Sequence, residues 1–302
     1  MIRLGLCCIF REQPIRFKQT TAAALSKFER DDQLARLAQI CLYNLDNLLK
    51  ALKWVISNNI AAFRVLSPLF PRFTHPDVGY TLEVLPHQAE MLEKAKEIRR
   101  FRKDNNIRLS LHPDQFNVLS SPYEKVVNNT IRELEYQGYL AEMIGAEVIN
   151  IHGGGVYASK KDALFRFRKN FSKLSDRVQS RLTVENDDRA YTPADLLHLC
   201  TDLNIPFVYD IHHHRCLTDG MSEEKVTELC VAGWQKMARE PFFHISSPRN
   251  GWAAEQVRSH ADYIDPADFP HFWKNIECTV DVEAKAKELA VLDLQKYLNG
   301  NN

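Results

Sequence analysis

Phe207-Val208-Tyr209-Asp210-Ile211-His212-His213-His214 reads as a short buried strand, Phe207 to Asp210, that stops on an acid and runs straight into three imidazoles. Apolar residues at both parities are the habit of strands covered on both faces, as in a parallel sheet. The same arrangement recurs on either side. Upstream, Arg181 to Glu185 ends Val184-Glu185-Asn186-Asp187, Val148 to His152 ends Asn150-Ile151-His152-Gly153-Gly154, and Arg108 to His112 ends Ser110-Leu111-His112-Pro113. Downstream, Phe242 to Ser246 contains His244, and Thr279 to Glu283 ends Asp281-Val282-Glu283. Ile2 to Cys7 and Ala62 to Leu66 complete the set of strand candidates.

Longer stretches of helical periodicity lie between these strands. Asp32 to Asn58 places Leu34, Leu37, Ala38, Cys41, Leu45, Leu48, Leu52 and Ile56 at helical spacing. Pro86 to Asn105, Tyr123 to Met143, Lys160 to Val178, Pro193 to Asp202, Glu223 to Ala238, Pro266 to Lys274 and Glu283 to Leu298 follow. Thr192-Pro193 and Asp265-Pro266 each read as an N-cap with proline in the first turn. Unbroken alternation of strand and helix predicts an α/β fold, a (β/α)8 TIM barrel. With no Pro/Gly/Ser linker, residues 1–302 are expected to form a single domain. Gln13 to Asp31 and Ser67 to Val84 are expected as long loops at the C-terminal face, and Asn299 to Asn302 are expected to fray.

Barrel active sites lie at the C-terminal ends of the strands, so His112, His152, Glu185, Asp210, His213, His244, His260 and Glu283 are expected to converge there as metal ligands. One histidine ending a strand is usually a hydrogen-bonded core or loop residue. Strand after strand ending in His, Glu or Asp is different, because burying so many ionisable groups without partners is costly. Mixed imidazole and carboxylate donors suit Mn2+ or Zn2+, with Mg2+ a further option. A cluster of two or three such ions can acidify water and clamp a scissile phosphate.

Composition bounds these expectations. The chain has 302 residues, 45% hydrophobic and 26% charged, enough to bury a full core. Lys plus Arg equals Asp plus Glu at 39 each, so net charge gives no support to nucleic-acid binding, although a local basic rim could still hold phosphates. Seven cysteines without zinc spacing suggest free thiols in a reducing cytoplasm. No secretory signal pattern is seen, and no apolar run approaches the roughly 18 residues of a membrane span. A cytoplasmic protein is expected.

At these residues the sequence resembles the UV damage endonuclease family, relatives of the three-metal apurinic endonucleases. The resemblance covers most of the chain. It is carried by Arg3-Leu4-Gly5, Ser110-Leu111-His112-Pro113-Asp114-Gln115-Phe116, Val148 to Gly154, Val184-Glu185-Asn186-Asp187, Val208 to His213, His244-Ile245-Ser246-Ser247-Pro248, Arg258-Ser259-His260-Ala261-Asp262 and Val282-Glu283-Ala284-Lys285. It implies incision of duplex DNA immediately 5′ of cyclobutane dimers, 6-4 photoproducts and some abasic sites, leaving a 3′-hydroxyl and a 5′-phosphate. The usual metal is manganese, and a monomer suffices. Carried onto this chain, His112, His152 and Glu185 would hold one ion, and Glu185, Asp210, His244 and Glu283 a second. His213 and His260 would help hold a third. Glu185, Asp210 and Glu283 would be the catalytic carboxylates.

Gln115 and Phe116 match a Gln–Tyr pair that probes the duplex in the family: an aromatic wedge unstacks bases and an amide takes up the freed hydrogen bonds. Leu6 stands where some members carry an assisting aromatic, and it is expected to wedge without stacking. Described members also carry a lysine, open to carboxylation, two residues before the strand-7 histidine. Here the stretch reads Pro241-Phe242-Phe243-His244, so Phe242 shares the face of His244 and the third ion is expected to be weaker. Arg72, Lys160, Lys161, Arg189 and Arg249 are candidate phosphate contacts. The alternatives are an apurinic endonuclease of the same superfamily, a metal-dependent sugar isomerase or epimerase, and a non-catalytic metal-binding or damage-recognition protein.

Overall fold

Parallel pairing closes β1 (Ile2–Cys7), β2 (Ala62–Val65), β3 (Arg108–Leu111), β4 (Val148–His152), β5 (Leu182–Glu185), β6 (Phe207–Asp210), β7 (Phe242–Ile245) and β8 (Cys278–Val282) into a barrel, each strand beside its sequence neighbour and β8 beside β1. The computed structural model describes residues 2–300. The helices are α1 (Ala22–Leu25), α2 (Arg30–Ser57), α3 (Gln88–Asp104), α4 (Glu124–Ile144), α5 (Lys160–Phe171), α6 (Asp176–Gln179), α7 (Pro193–Leu203), α8 (Ile211–Cys216), α9 (Glu223–Lys236) and α10 (Glu288–Gly300). This is the TIM barrel expected of the strand and helix alternation.

Local chemistry explains the boundaries. Thr192 and Asp195 form a reciprocal capping box with Pro193 in the first turn of α7. Ser159 and Ser222 cap α5 and α9 through their hydroxyls. The α4 helix stops at Gly145, whose φ of 79° is open to glycine at little cost. The helix expected over Lys160 to Val178 is divided, because Glu135 takes the backbone N–H and hydroxyl of Ser175 and starts a new turn there. Pro266 to Lys274 is two 3-10 turns, Pro266–Asp268 and His271–Asn275, interrupted at Pro270. The last helix begins at Glu288 because Glu283, Lys285 and Ala286 first donate backbone N–H groups to Ile245, Ala261 and Asp262. Asn299 and Gly300 continue α10; the other two residues expected to fray, 301 and 302, lie outside the described residues.

The apolar core lies between the strands and the helices, where Leu4, Leu6, Phe63, Leu109, Ile149, Val184, Phe243 and Val280 are buried. The inner face of the barrel is different from the all-apolar surface expected of these strands. Arg108 of β3 crosses to the Thr279 hydroxyl of β8, and its guanidinium lies 5.0 Å from the Phe242 ring of β7. Thr183 donates to Asn150, and Arg64 of β2 spans to Asp281 and His244. Because side chains alternate along a strand, the inward set reads as arginines, amides and hydroxyls below a rim of imidazoles and carboxylates. Several of these buried polar groups are paired across the barrel. Among the described residues no helix is long and apolar enough to cross a membrane.

The mouth loops are tied down. The buried Glu288 carboxylate accepts the backbone N–H groups of Arg11 and Glu12 at 2.7 Å each and of Gln13 at 3.2 Å. Asn44 holds Lys18 by its backbone N–H and carbonyl.

Gly5 turns inward beside β8, where a Cβ would stand 2.0 Å from Asp281 Oδ1. Gly5→Ala is expected to destabilise the protein by about 1–3 kcal/mol, the usual cost of overpacking. Urea unfolding measures this, and an unchanged midpoint would contradict the inward placement of Gly5.

Candidate metal centre at the barrel mouth

Glu185 is the hub. It ends β5 and is fully buried. His112 Nε2 lies 3.1 Å from Oε2, His244 Nδ1 3.1 Å from Oε1, and His213 Nδ1 3.4 Å from Oε1. Asn150 of β4 donates a short hydrogen bond to Oε2. Glu283, directly after β8, places Oε1 3.5 Å from His244 Nδ1 and Oε2 3.8 Å from His260 Nδ1. The His152 ring packs 5.2 Å from that of His112 and 5.9 Å from that of His213. All eight residues named from the sequence therefore meet at one mouth.

The Asp210-x-x-His213 spacing has a local cause. Asp210 is the N-cap of α8 and accepts the backbone N–H of His213 at 2.7 Å, which folds the chain back over the mouth. His213 then stands 3.7 Å from Asp210 Oδ2. Its neighbours turn away. His214 is held between the Tyr209 hydroxyl and Asp219, and His212 packs against Trp252 and His260. The loop after β7 returns His260 through a short antiparallel ribbon, in which Arg249 donates to Ser259 and Ala261 to Ser247.

These residues fit a metal centre by a direct observation. Asp210 Oδ2 and His152 Nδ1 are buried and meet no hydrogen-bond partner, and Glu185 Oε1 and His244 Nδ1, although 3.1 Å apart, are not aligned for a hydrogen bond. Orphaned donors and acceptors of this kind are rare in folded proteins. Among the described residues, His112, Glu185 and His244 offer donor atoms within 4.8 Å of one another, and so do Glu185, Asp210 and His213. These triads cut across the grouping that the resemblance implies. Asp210 goes with His213 because it caps that helix, and His244 goes with His112 because Glu185 lies between them. His152, His260 and Glu283 belong to neither triad.

Burial would raise the Glu185 pKa, but the imidazoles of His244, His152, His112 and His213 outweigh it and hold the carboxyl well below its ordinary range. For Glu283 burial is likewise overcome, first by Arg64 and then by His244. Burial lowers His152, only partly offset by Glu185. His213 is the opposite case: burial is overcome by Asp210 and then Glu185, which raise it well above its ordinary value.

Two participants escaped the sequence reading. Arg64 donates from Nε to Asp281 Oδ2 at 3.0 Å, from Nη1 to Glu283 Oε1 at 2.6 Å, and approaches His244 Nε2 at 2.8 Å. Asn186 clasps the Asp210 backbone in both directions. An arginine inside the otherwise apolar Ala62-Phe63-Arg64-Val65 was the available signal.

The candidate DNA contacts divide. Gln115 and Phe116 are exposed, Phe116 77% so. Gln115, His152, Gly154, Asp187, Arg189 and His213 line a cleft of about 510 Å³ beside the centre. Arg72, Lys161, Arg189 and Arg249 are exposed. Lys160 is paired with Asp195 at 2.6 Å. Leu6 requires correction: it is fully buried in the core. Gly5 faces the barrel interior, so by strand parity Leu6 faces the helices and offers DNA no surface. Phe242 lies inside the barrel with its ring 5.2 Å from that of His244, as strand parity requires.

Fold and site together define an α/β barrel protein whose mouth gathers side chains that could hold metal ions. The family model for UV-endonuclease UvdE matches residues 2–302. The chain is 33% identical over 302 residues to the UV DNA damage endonuclease of Bacillus velezensis (strain DSM 23117 / BGSC 10A6 / LMG 26770 / FZB42), covering 97% of this chain and 91% of that protein. The crystal structure of SacUVDE superposes with a TM-score of 0.88 at 28% identity, covering 100% of this chain and 99% of that one. Endonuclease IV from Thermus thermophilus superposes with a TM-score of 0.64 at 12% identity, covering 99% and 100%, a likeness of fold alone. The chain belongs to the UV-endonuclease UvdE family, and is accordingly a DNA endonuclease.

The raised His213 pKa has a measurable consequence. Its folded value lies above the unfolded one of about 6.5, so the stabilisation is complete below about pH 6.5 and is lost as pH rises through the folded value. In chelator, the melting temperature is expected to fall across that range, and His213→Asn should flatten the slope. A metal-free protein whose wild-type and His213→Asn profiles run parallel would contradict the ion pairing.

Proposed function

We propose that this chain is a metal-dependent phosphodiester hydrolase that incises duplex DNA immediately 5′ of UV photoproducts, cyclobutane dimers and 6-4 photoproducts, leaving a 3′-hydroxyl and a 5′-phosphate. The carrying observation is Glu185, a buried carboxylate ringed by three imidazoles, with unpartnered donor atoms around it in a member of the UvdE family. His112, His152, Glu185, Asp210, His213, His244, His260 and Glu283 would hold two or three divalent ions, manganese by preference. Such ions supply activated water and charge for the departing oxygen.

The chain's own residues do the remaining work. Asn150 and the capping of α8 by Asp210 keep the donors in place. Gln115 and Phe116 project from the loop after β3, where they can probe a distorted duplex. Arg249 is exposed and could meet phosphates, as could Arg189, which is exposed and only loosely paired with Asp188 at 3.8 Å, whereas Lys160 is engaged by Asp195 at 2.6 Å. Phe242 fills the interior place that the family resemblance gives to a lysine, so we assign two tight ions and a weaker third. We read residues 1–302 as one barrel domain acting as a monomer. The free cysteines suit a reducing cytoplasm. Family membership favours this reading over a sugar isomerase or epimerase.

The test is incision of an end-labelled duplex carrying one defined cyclobutane dimer. Chelated protein should be inactive and Mn2+ should restore a single cut directly 5′ of the dimer. Glu283→Gln and Asp210→Asn should lower the rate at least about 100-fold while dimer binding persists. A stronger preference for an abasic duplex would favour an apurinic endonuclease instead. Binding to the dimer duplex should also weaken steeply with salt, log-linearly, as phosphate contacts require. A flat salt response would count against a DNA substrate.

A further inference from the structure

The barrel mouth contains a buried carboxylate outside the donor set. Asp281 stands on β8 two residues before Glu283, on the same inward face, and is fully buried. Its Oδ2 accepts from Arg64 Nε at 3.0 Å, while its Oδ1 meets no hydrogen-bond partner. The space beside Oδ1 exists because residue 5 is glycine: a Cβ there would lie 2.0 Å away. A buried carboxylate with an idle oxygen is costly, and an added methyl group would close this site.

The nearest imidazole is that of His244. Its Nδ1 faces Glu185 and Glu283, at 3.1 and 3.5 Å, and its Nε2 lies 4.0 Å from Asp281 Oδ2 and 2.8 Å from Arg64 Nη2. Arginine can only donate, so the Arg64 contact requires a lone pair on Nε2 and places the single hydrogen of the neutral ring on Nδ1. A ring that gives its Nδ1 lone pair to a cation carries its hydrogen on Nε2 instead. That hydrogen would face the Arg64 donor, and Asp281 Oδ2 is the acceptor at hand. Metal-ligating histidines characteristically donate their other N–H to a carboxylate or carbonyl.

We propose that Asp281 is the positioning residue of His244: it accepts the Nε2 hydrogen when Nδ1 serves a divalent ion, and draws Arg64 aside with the same carboxylate. The proposal rests on the metal reading of the site. It identifies the chain's own carboxylate as a tuning group on β8, beside the β7 wall where Phe242 leaves none.

The experiment is Mn2+ titration by calorimetry of the full-length, chelator-stripped protein, with folding followed by circular dichroism. Asp281→Ala should weaken one Mn2+ equivalent by about 10- to 100-fold, and Asp281→Asn, which retains one acceptor oxygen, by less. If the alanine variant fails to fold, the asparagine variant carries the test. A role only as counter-ion to Arg64 is separated by a double-mutant cycle. Asp281→Asn should still weaken binding in an Arg64→Gln background, whereas a counter-ion would have no further effect there. Nitrogen NMR of the Zn2+-loaded protein should show His244 protonated on Nε2. Wild-type affinity in both Asp281 variants, loss of the effect in the Arg64→Gln background, or a His244 ring protonated on Nδ1 would overturn the proposal. Wild-type protein that takes up no Mn2+ would overturn the metal reading itself.

Discussion

The charge of Glu185 is the constraint around which the rest of the mouth is arranged. A carboxylate with no exposure to solvent loses its hydration, and only close opposite charge or coordination offsets that loss. Here the compensation comes from three strands and one capped helix: His112 after β3, Asn150 on β4, His244 on β7 and His213 from α8. No local segment could supply this set. The closed barrel brings it together, because strand ends far apart in sequence meet at one mouth. Unpartnered atoms remain on Glu185, Asp210, His152 and His244. A purely structural ion network would be expected to satisfy them.

Much of this was legible in the chain. Strands such as Phe207–Asp210 are short, apolar and end abruptly in acids or imidazoles, so both strand order and the convergence of donors follow from the barrel topology. Irregular returns were less legible. The pairing of Asp210 with His213 is a capping interaction, which spacing alone does not distinguish from a loop. The grouping of His112 with His244 depends on which ring nitrogen faces Glu185. Leu6 was misread because a place carried over from the family resemblance does not decide parity; Gly5, facing Asp281, does. Arg64 stood out as the one charge in an apolar strand, but periodicity does not say which groups a long cationic side chain reaches across the barrel interior.

The inner face of the barrel joins these observations to the chemistry. Arginines, amides and hydroxyls fill its lower levels and hand hydrogen bonds upward, from Arg108 to Thr279, from Thr183 to Asn150, and from Asn150 to Glu185. A polar interior of this kind orients the rim donors as an outer coordination layer would. Phe242 interrupts it on one wall, and Asp281 with Arg64 occupies the adjoining wall. The two walls are therefore expected to differ in how firmly they hold ions.

Divalent ions are expected to bind between these strand ends, with Glu185 common to more than one. Anomalous diffraction at the manganese edge from crystals grown with Mn2+ tests it most directly. At least two peaks at the mouth are expected, each within coordinating reach of Glu185. Peaks confined to the protein surface, or an empty mouth with Glu185 bonded only to imidazoles, would contradict it.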